Sequence, residues 1–559
     1  MDSISALKAF LKDSFKGEWE DSSATITKYS RDAGLFEVTP RIVLFPKDAE
    51  DIKAVVHFVR VNKATYPDLS ITARAAGTDM SGGPINDSII LDIARNMHGV
   101  ISMTKDRATV LPGTYYRDFE KESLKQGVIL PCYTASKNLN TVGGMVANNS
   151  AGEKTLKYGQ TKDYVESLKV VFADGNEYEV KALDKEGLKA KLEQQDFEGQ
   201  LYRDVWDIVS RNEALLANAK PKVSKNAAGY YLWNVWDPTA DGGKGRFDMA
   251  QLVVGSQGTL GIVTEATIRL VPVKPLSKLF VIFMPTIDRL GDVVNDLLPF
   301  KPESLESYDD STMALAVKFL PSMVKSLGLV HFLHLAWKFI PEAWMAIRGG
   351  FPKLVLLVEF SGDNLAEIDA QIDAAEAKVK GYGFKMRRAA DEFDSEKYWT
   401  IRRESFNLLR RHVTGRRTAP FVDDVVVPPH AMPDFLPKMR AILDEYKLMY
   451  TIAGHAGNGN FHIIPLMDMA DPASFALNRK AIDEVSDKVY ELVLSYGGSI
   501  TGEHNDGIVR TPYLPKMFSP EIMTLFKQAK DAFDPTNIFN PGKKIGATKE
   551  FMLKHLSRS

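Results

Sequence analysis

Apolar and polar residues along the chain fall into two successive blocks of short strands and helices. Between residues 40 and 275, runs such as RIVLFP, SIILDIA and LKVVFADG have the β-branched composition of strands, and DAEDIKAVVHFVRVNK has helical spacing after an acidic N-cap. The prolines of LVPVKPLSK end this block. Alternating strands and helices predict a first domain of α/β or α+β type.

A second block begins near residue 280 with KLFVIFMP, a helix from Asp288, LVLLVEFSG, the charged helix NLAEIDAQIDAAEAKVKG and DDVVVPP, and it predicts a second, α+β domain. From about residue 495 the chain is rich in Gly, Asn, Asp and Pro, as site-forming loops are. The first stretch, MDSISALKAFLKDSFKGEWE, predicts a short amphipathic helix and no signal peptide. We therefore expect four parts, residues 1–39, 40–275, 276–494 and 495–559.

Composition limits the classes of protein that need to be considered. A chain of 559 residues, 45% hydrophobic and 25% charged, is too long for one core and too apolar for a disordered chain. A net charge of −2 provides no field that recruits a polyanion, so no nucleic-acid partner is expected. Cys132 is the only cysteine, which excludes an intrachain disulfide and a protein-held iron–sulfur cluster and fits a cytoplasmic location.

Residues 327–347, LGLVHFLHLAWKFIPEAWMAI, form the most apolar stretch. Histidines, a lysine, a proline and a glutamate interrupt it, so it is not predicted to span a membrane. Two interpretations stay open. The stretch is either a buried helical hairpin or lid over a pocket, or a surface that dips into the bilayer interface with Trp337 and Trp344 at headgroup depth. The second would place the protein peripherally on the cytoplasmic face of a membrane.

Three glycine-rich loops carry the first candidate chemistry. They are ARAAGTDMSGGPI at 73–85, TVGGMVANNSAGEKTLKYGQTKDYV at 141–165 and VVGSQGTLGIVTEATIRLVP at 253–272. Small residues let backbone N–H groups face one concavity, which suits a pyrophosphate. The first loop lacks the G-x-G-x-x-G spacing and precedes a strand, so a Rossmann site is excluded. The presence of three such loops favours a site in which backbone groups line a long cofactor. The alternative, that all three are ordinary turns, is less favoured.

Two histidine motifs carry the second candidate chemistry. GHAGNGNFH contains His455 and His462, and TGEHNDG contains Glu503 and His504, all flanked by glycine or asparagine instead of an apolar face. Two imidazoles and a carboxylate suit a divalent metal such as zinc and leave positions open for substrate. The spacing alone is a weak signal. The alternative is a set of histidines that only hydrogen-bond a substrate.

Four motifs in this order resemble the vanillyl-alcohol oxidase / p-cresol methylhydroxylase (PCMH) superfamily, in its D-lactate dehydrogenase and glycolate oxidase flavin-subunit branch. They lie at 74–83, 141–152, 255–264 and, as DPTNIFNPGK, at 534–543, and the resemblance runs from about residue 40 to 547. It implies an α+β fold. Residues 40–275 would form a two-part PCMH-type FAD-binding domain, 276–494 a substrate (cap) domain, and 495–559 a C-terminal segment that returns to the flavin, after an N-terminal helical segment at 1–39.

The resemblance implies FAD as the cofactor. Some members of the superfamily tether the flavin through a histidine of the first loop, but this chain has Thr78 there, so noncovalent FAD is expected. Cys132 is expected to be a buried structural residue, with a thioether link as the alternative. The predicted cofactor contacts are Arg74, Ala76, Gly77, Thr78, Asp79, Ser81, Gly82, Thr141, Gly143, Gly144, Asn148, Ser150, Gly152, Gly255, Gly258, Ile262, Val263 and Asn540.

On the substrate side, the family motifs GHxGxGNxH and GEH imply roles by position. His455, His462 and Glu503 match the ligands of a divalent metal, zinc or manganese, and His504 matches the base. One departure is Asn458, where the family often has aspartate, and it affects the expected orientation of a ligand. Asn505 stands where glycine is common.

Trp399 and Arg402 resemble the family's W-x-x-R, whose arginine binds the substrate carboxylate, with Arg403 as the alternative. Relatives that act on larger dicarboxylates carry a threonine and a lysine where this chain has Phe406 and, by rough alignment, Val422. Both residues here are apolar. This favours a lactate-like monocarboxylate over 2-hydroxyglutarate.

The sequence therefore predicts an FAD-dependent dehydrogenase that oxidises a D-2-hydroxy acid, with D-lactate as the favoured substrate. It would pass its electrons to a quinone, a cytochrome or another carrier. Two alternatives stay open: an oxidase or aryl-alcohol dehydrogenase of the same superfamily, and a flavin-carrying electron-transfer subunit of a complex. The sequence does not determine the oligomeric state.

Overall fold

The computed structural model describes residues 2–310, 312–313, 352–412 and 415–558, with the side chains of 404–412 left out. The stretch 327–347 and the side chain of Phe406 lie outside the described residues. Within the described residues, no helix combines the length and the apolar composition needed to cross a bilayer.

The N-terminal part contains a four-stranded sheet in the order β1-β2-β4-β3. Strands β2 and β3 both run parallel to β4, and the helix Ala49–Asn62, capped by Asp48, connects β2 to β3. Strand β1 pairs with β2, so part of the segment 1–39, expected to be helical, joins this sheet. The strands are β1 Glu18–Glu20, β2 Ile42–Phe45, β3 Ile71–Arg74 and β4 Ile89–Asp92.

A second, antiparallel sheet of seven strands follows in the order β10-β11-β9-β8-β12-β6-β5, with a β7/β13 pair beside it. Its strands are β5 Val100–Met103, β6 Arg107–Val110, β7 Val128–Ile129, β8 Val165–Val171, β9 Glu177–Leu183, β10 Trp236–Asp237, β11 Arg246–Asp248, β12 Ile262–Arg269 and β13 Val271–Pro272. The longer helices of this half are Ser3–Ser14, Ser23–Tyr29, Ala49–Asn62, Tyr116–Lys125, Val142–Asn148, Lys185–Glu193, Phe197–Arg211 and Glu213–Ala219.

The second half is built on an antiparallel sheet in the order β17-β14-β16-β15-β20-β21-β18, with β19 also paired to β21. Its strands are β14 Leu276–Met284, β15 Ser304–Asp309, β16 Leu354–Gly362, β17 Lys385–Arg388, β18 Arg417–Thr418, β19 Val425–Val426, β20 Met449–His455 and β21 Asn460–Met467. The helices are Leu290–Leu297, Leu365–Val379, Glu392–His412, Met432–Glu445 and Pro472–Ser495. This confirms the predicted second α+β domain.

The C-terminal segment runs back to the N-terminal part. After the helix Pro520–Phe533, Phe539 forms a parallel bridge to Ile71 of β3, and Ile538 and Phe539 are buried in the core of the first sheet. The shorter helices of this segment are Gly507–Arg510, Leu514–Met517 and Lys549–Lys554. The return of the chain end to the N-terminal part, which the resemblance implied, is confirmed.

Candidate active site

One cavity of about 1320 Å³ joins the two chemistries that the sequence suggested. The three glycine-rich loops line one end, and the imidazole cluster lines the other. A volume above the roughly 300–1,000 Å³ of small-ligand pockets leaves room for a large cofactor together with a small substrate. We call the two ends the glycine-loop end and the imidazole end.

The first loop exposes backbone donors to the cavity. Among the described residues, no acceptor takes the N–H groups of Ala76, Gly77 and Thr78, which all line the cavity. Gly77 has a φ of 68°, and a Cβ added there would lie 2.3 Å from the guanidinium of Arg74. A run of unpaired N–H groups around a glycine whose positive φ would strain any side chain fits an anionic group such as a pyrophosphate.

Side chains of the first and second loops hold this end together. Thr141 caps the helix Val142–Asn148, and Asn148 donates to Asp79 of the first loop at 3.1 Å. A Cβ on Gly143 would lie 2.5 Å from the Cβ of Pro112. Asp79 therefore links two loops, in addition to lining the cavity.

Most of the predicted cofactor contacts line the cavity, and five do not. The five that do not line it form internal hydrogen bonds or close contacts within the protein: Ser81, Gly82, Gly152, Gly255 and Asn540. Those that line it are Arg74, Ala76, Gly77, Thr78, Asp79, Thr141, Gly143, Gly144, Asn148, Ser150, Gly258, Ile262 and Val263.

Asn540 connects the C-terminal segment to these loops. Its amide nitrogen donates to the carbonyl oxygens of Gly83 at 2.9 Å and Gln257 at 2.7 Å, and its oxygen accepts from Thr72 at 2.9 Å. The residue is buried and has a left-handed φ of 40°. Asn540 therefore supports the first and third loops, and its contact with the flavin stays a prediction.

Cys132 is fully buried in the core, and burial raises the pKa of its thiol to about 12. It does not line the cavity, whereas Thr78 does. The residues at this end thus fit a cofactor held without a covalent link.

The imidazole end is built on a tight hairpin. His455 ends β20, and His462 lies on β21 opposite Ala453. Gly459, at a φ of 66°, turns the chain, and a Cβ there would lie 1.9 Å from the carbonyl oxygen of Val427. The glycines of this motif therefore allow the hairpin to pack closely while it carries two histidines on one wall.

Glu503 completes a three-residue group with these histidines. Its Oε1 lies 3.2 Å from Nε2 of His455 and 3.4 Å from Nε2 of His462. All three residues are buried, and their ligand atoms lie within 4.8 Å of one another. Three nitrogen and oxygen ligands with an open side are the donor set of a catalytic divalent-metal site, so the residues fit the metal that the sequence suggested.

Lys225 pairs with the other oxygen of Glu503. Its fully buried ammonium group lies 2.7 Å from Oε2 and 3.3 Å from the side-chain oxygen of Asn460. Burial alone would raise the pKa of Glu503, but Lys225 and His455 hold it well below its ordinary value. Glu503 is therefore a carboxylate whose Oε1 faces the histidines.

His504 lies beside His462, with ring centroids 4.9 Å apart and planes inclined by 23°. Both rings face the fully buried Asp423. Nδ1 of His462 lies 3.0 Å from Oδ1, and Nδ1 of His504 lies 2.8 Å from Oδ2, an ion-pair distance at an angle that is poor for a hydrogen bond. One carboxylate thus contacts two imidazoles.

These contacts shift the pKa values of the histidines and of Asp423. Burial lowers the pKa of His462, but Asp423 and Glu503 raise it to about 10. The pKa of His504 is also raised, because Asp423 and Asp424 outweigh the effect of burial. In return, burial raises the pKa of Asp423 but the two histidines lower it more. The site attracts positive charge, which is a second property that suits a cation.

Asp424 fixes the loop that carries Glu503 and His504. Its Oδ2 accepts from the backbone N–H groups of Gly502, Glu503 and His504 at 2.7 to 2.9 Å and from the hydroxyl of Thr501 at 2.6 Å. The loop has no sheet ladder of its own, so this buried carboxylate holds its backbone.

Arg402 lines the cavity and is 8% exposed. Its guanidinium contacts Oε2 of Glu306 through Nε at 3.2 Å and Nη2 at 3.1 Å, while Oε1 of Glu306 lies 2.7 Å from Nδ1 of His455. Arg403 also lines the cavity but pairs with Glu153 at 2.7 Å and 3.0 Å. Glu306 therefore connects the predicted carboxylate anchor to a predicted metal ligand.

Four charged residues of this end were not predicted from the sequence: Lys225, Glu306, Asp423 and Asp424. The adjacent acids of FVDDVVV, inside an otherwise apolar run, were the one signal that could have indicated the two aspartates. Glu306 and Lys225 lie in the segments SLESYD and VSKNAAG, and neither segment contains a motif that would indicate a functional residue. Val422, the apolar residue at the place of the relatives' lysine, is buried in the core and does not line the cavity.

Two family models match successive parts of the chain. A model described as "FAD binding domain" matches residues 40–181, and one described as "FAD linked oxidases, C-terminal domain" matches residues 275–544. The first contains the first two glycine-rich loops, and the second contains the histidine motifs. The second model begins at residue 275, beside the prolines that end the first block of strands and helices.

The chain is also similar to individual proteins. It is 29% identical over 546 residues to the D-2-hydroxyglutarate dehydrogenase of Pseudomonas putida, with 96% of this chain and 51% of the relative covered. It is 26% identical over 506 residues to the D-lactate dehydrogenase of Archaeoglobus fulgidus, with 90% and 91% covered. The chain spans about half the length of the D-2-hydroxyglutarate dehydrogenases that it matches.

Among solved structures, p-cresol methylhydroxylase with substrate bound matches at a TM-score of 0.66 and 16% identity, with 98% of this chain and 97% of that chain covered. At this identity the likeness concerns the fold. The two matched models identify the chain as an FAD-linked oxidoreductase, its relatives include D-2-hydroxyglutarate dehydrogenases, a D-lactate dehydrogenase and glycolate oxidase subunits, and its fold is that of the vanillyl-alcohol oxidase / p-cresol methylhydroxylase type.

Proposed function

We propose that the chain is an FAD-dependent dehydrogenase that oxidises a D-2-hydroxy acid to the 2-oxo acid, with a lactate-like monocarboxylate as its substrate. One observation carries the proposal: the glycine-rich loops and the imidazole cluster line the same cavity. The names of the relatives, D-2-hydroxyglutarate and D-lactate dehydrogenases, support the reaction class.

The oxidation removes a hydride from C2 of the substrate and a proton from its hydroxyl group. FAD, when bound along the glycine-rich loops, supplies the two-electron acceptor for the hydride. His504 takes the hydroxyl proton, because its ring lines the cavity and a neutral imidazole is a suitable acceptor near neutral pH.

Arg402 binds the substrate carboxylate. A guanidinium group suits this task because its planar donors match the two oxygens of a carboxylate. Glu306 holds one edge of the guanidinium, through Nε and Nη2, and so fixes its plane. The substrate is then gripped at its carboxylate while its hydroxyl group faces His504, an arrangement that lowers the entropic cost of reaction.

His455, His462 and Glu503 would hold a divalent cation, zinc or manganese. Such a cation would polarise the substrate oxygen and, as a neighbouring positive charge, would lower the pKa of His504 toward the range in which the neutral ring accepts a proton. Lys225 pairs with Oε2 of Glu503, so Oε1, which lies beside His455, is the oxygen that would remain for a cation.

The charge balance of the imidazole end supports a substrate with one carboxylate. Each arginine that lines this end faces a glutamate: Arg402 faces Glu306, and Arg403 faces Glu153. With Arg402 engaged by the first carboxylate, a second carboxylate would find only Arg403 among the described arginines that line this end, and Arg403 makes a two-point ion pair with Glu153. D-2-hydroxyglutarate is the second candidate, because the relatives at 27–29% identity carry its name.

Electrons leave through a quinone, a cytochrome or another carrier. An oxidase would instead release peroxide under air, and an electron-transfer subunit would not turn over by itself with an artificial acceptor. These two measurements separate the proposal from its alternatives.

The decisive experiment follows bleaching of the flavin under anaerobic conditions. The purified FAD-loaded chain is mixed with D- and L-lactate, D- and L-2-hydroxyglutarate and glycolate, before and after treatment with a chelator. We expect D-lactate to bleach fastest, the chelator to slow bleaching, and zinc or manganese to restore it. Faster bleaching by D-2-hydroxyglutarate would select the second candidate. Failure of every D-2-hydroxy acid to bleach the flavin would overturn the reaction class.

A further inference from the structure

The adjacent aspartates of FVDDVVV stand between β18 and β19 and are both fully buried. Asp424 holds a loop backbone, whereas the side chain of Asp423 faces two imidazoles. Its Oδ1 lies 3.0 Å from Nδ1 of His462, and its Oδ2 lies 2.8 Å from Nδ1 of His504. One ring belongs to the group that fits a cation, and the other belongs to the proposed base.

We propose that Asp423 is a positioning residue that keeps the Nδ1 proton on both His462 and His504 and so directs Nε2 of both rings toward the cation and the substrate. The proposal rests on the proposed function for the roles of the two rings. Its structural part, the tautomer of each ring, does not depend on the substrate.

The chemistry of a carboxylate supports this assignment. An ionised aspartate only accepts hydrogen bonds, so Nδ1 of His462, which is hydrogen-bonded to it, must carry the proton. Nδ1 of His504 lies 2.8 Å from the other carboxylate oxygen, and the negative charge there favours a proton on that nitrogen as well. The lone pair of a neutral ring is then on Nε2. The Nε2 atoms lie on the side of Glu503, at 3.4 Å for His462 and 3.8 Å for His504 from its Oε1. Both lone pairs are therefore presented to the same region of the cavity.

The position of Asp423 is itself fixed. The buried Arg510 donates to the backbone carbonyl of Asp423 at 2.7 Å and to that of Asn505 at 2.9 Å. The arginine thereby ties the aspartate to the chain that carries His504, one residue before Asn505. A carboxylate that backs a metal-binding histidine is a recurring way to orient the ring, and here one carboxylate does so for two rings.

The test replaces Asp423 by asparagine, which has the same shape but offers a donor to one of the two rings. That ring then loses its acceptor and shifts its proton to Nε2. With saturating D-lactate, we expect the rate of flavin reduction to fall at least about 100-fold, since a wrong tautomer or a lost supporting carboxylate has effects of this order. The KM should change less than about threefold, because the substrate anchor is untouched. Asp423→Glu should restore part of the rate.

A second readout does not use activity. Zinc binding, measured by competition with a chromophoric chelator, should weaken about 10- to 100-fold in Asp423→Asn. In the wild-type protein labelled with ¹⁵N-histidine and titrated to a pH at which the two rings are neutral, the ring nitrogens of His462 and His504 should show a proton on Nδ1. The control is Asp248→Asn, which removes a buried carboxylate that accepts from the backbone N–H of Ala250 and contacts no histidine.

Two outcomes would overturn the proposal: wild-type rate and zinc affinity in a flavin-loaded Asp423→Asn protein, or neutral rings in the wild type that carry their proton on Nε2. If the asparagine variant does not fold, the proposal is tested by the wild-type ¹⁵N spectrum and by the rate and zinc affinity of Asp423→Glu. If no D-2-hydroxy acid reduces the wild-type flavin, the proposed function fails, while the spectrum and the zinc titration still test Asp423.

Discussion

The two ends of the cavity are built in opposite ways. The glycine-loop end presents backbone N–H groups, and its key residues matter because they lack side-chain atoms, as Gly77 does. The imidazole end presents buried ionisable side chains, each held by a second charged residue, as Glu503 is by Lys225. A site made of backbone is damaged by added atoms, whereas a site made of paired charges is damaged when one partner is removed.

The largest effect is expected at the imidazole end from His504→Ala. Loss of the proton acceptor should slow flavin reduction by about 10²- to 10⁴-fold, and FAD content should stay unchanged because the ring lies at the other end of the cavity. Rapid-mixing absorbance and the flavin-to-protein ratio measure the two quantities. His430→Ala, which removes an exposed histidine, is the control. Bleaching at the parental rate would show that His504 is not the base.

The glycine-loop end should respond to Gly77→Val with loss of FAD. The new side chain would collide with Arg74 and adopt a φ of 68°, so FAD affinity should fall at least about 100-fold. Fluorescence titration of the apoprotein with FAD measures it, and zinc affinity should not change. Gly383→Ala is the matched control, because its φ is 69° and nothing lies within 4 Å of the added Cβ. An unchanged FAD affinity would contradict the role of the loop.

Arg402→Ala tests the substrate anchor. A charge-assisted contact with the substrate carboxylate is lost, so KM should rise about 10- to 100-fold while FAD content is retained. Steady-state kinetics with an artificial acceptor measures it. Arg403→Ala provides the comparison, since Arg403 lines the same cavity but makes a two-point ion pair with Glu153. A larger rise in KM for Arg403→Ala would transfer the anchor to that residue.

The smallest effect is expected from Asn540→Ala, behind the glycine-loop end. Two carbonyl oxygens and the hydroxyl of Thr72 lose their partner, which should lower the free energy of unfolding by about 1–3 kcal/mol. Urea denaturation of the FAD-loaded protein measures it. Asn537→Ala is a matched control, because that residue is exposed and also left-handed, with a φ of 52° against 40°. Equal losses in both variants would assign the effect to backbone strain.

Local patterns predicted much of the fold. The runs RIVLFP, SIILDIA, LKVVFADG and LVLLVEFSG all contain strands, and DAEDIKAVVHFVRVNK contains the helix Ala49–Asn62 with Asp48 as its cap. These elements are encoded by neighbours in the chain. Strand β1 was missed because three residues, EWE, carry no alternating pattern, and its place is determined by pairing with β2.

The sequence also predicted which types of residue carry the chemistry of the site. The predicted metal group, His455, His462 and Glu503, comes together in the structure, and the predicted base and anchor line the same cavity. The motif glycines indicated which turns had to be tight. The roles of these residues stay predictions, and the experiments above test them.

The sequence by itself determined two α+β domains, the glycine-rich loops and the histidines with their glutamate, because each is written in adjacent residues. Only the tertiary structure decided which charge faces which: Glu306 meets His455 across 149 positions, and Lys225 meets Glu503 across 278. Burial makes an unpaired charge costly, so each buried ionisable group has to find its partner wherever the folded chain brings one. Such pairings depend on the path of the whole chain, so no short sequence motif predicts them.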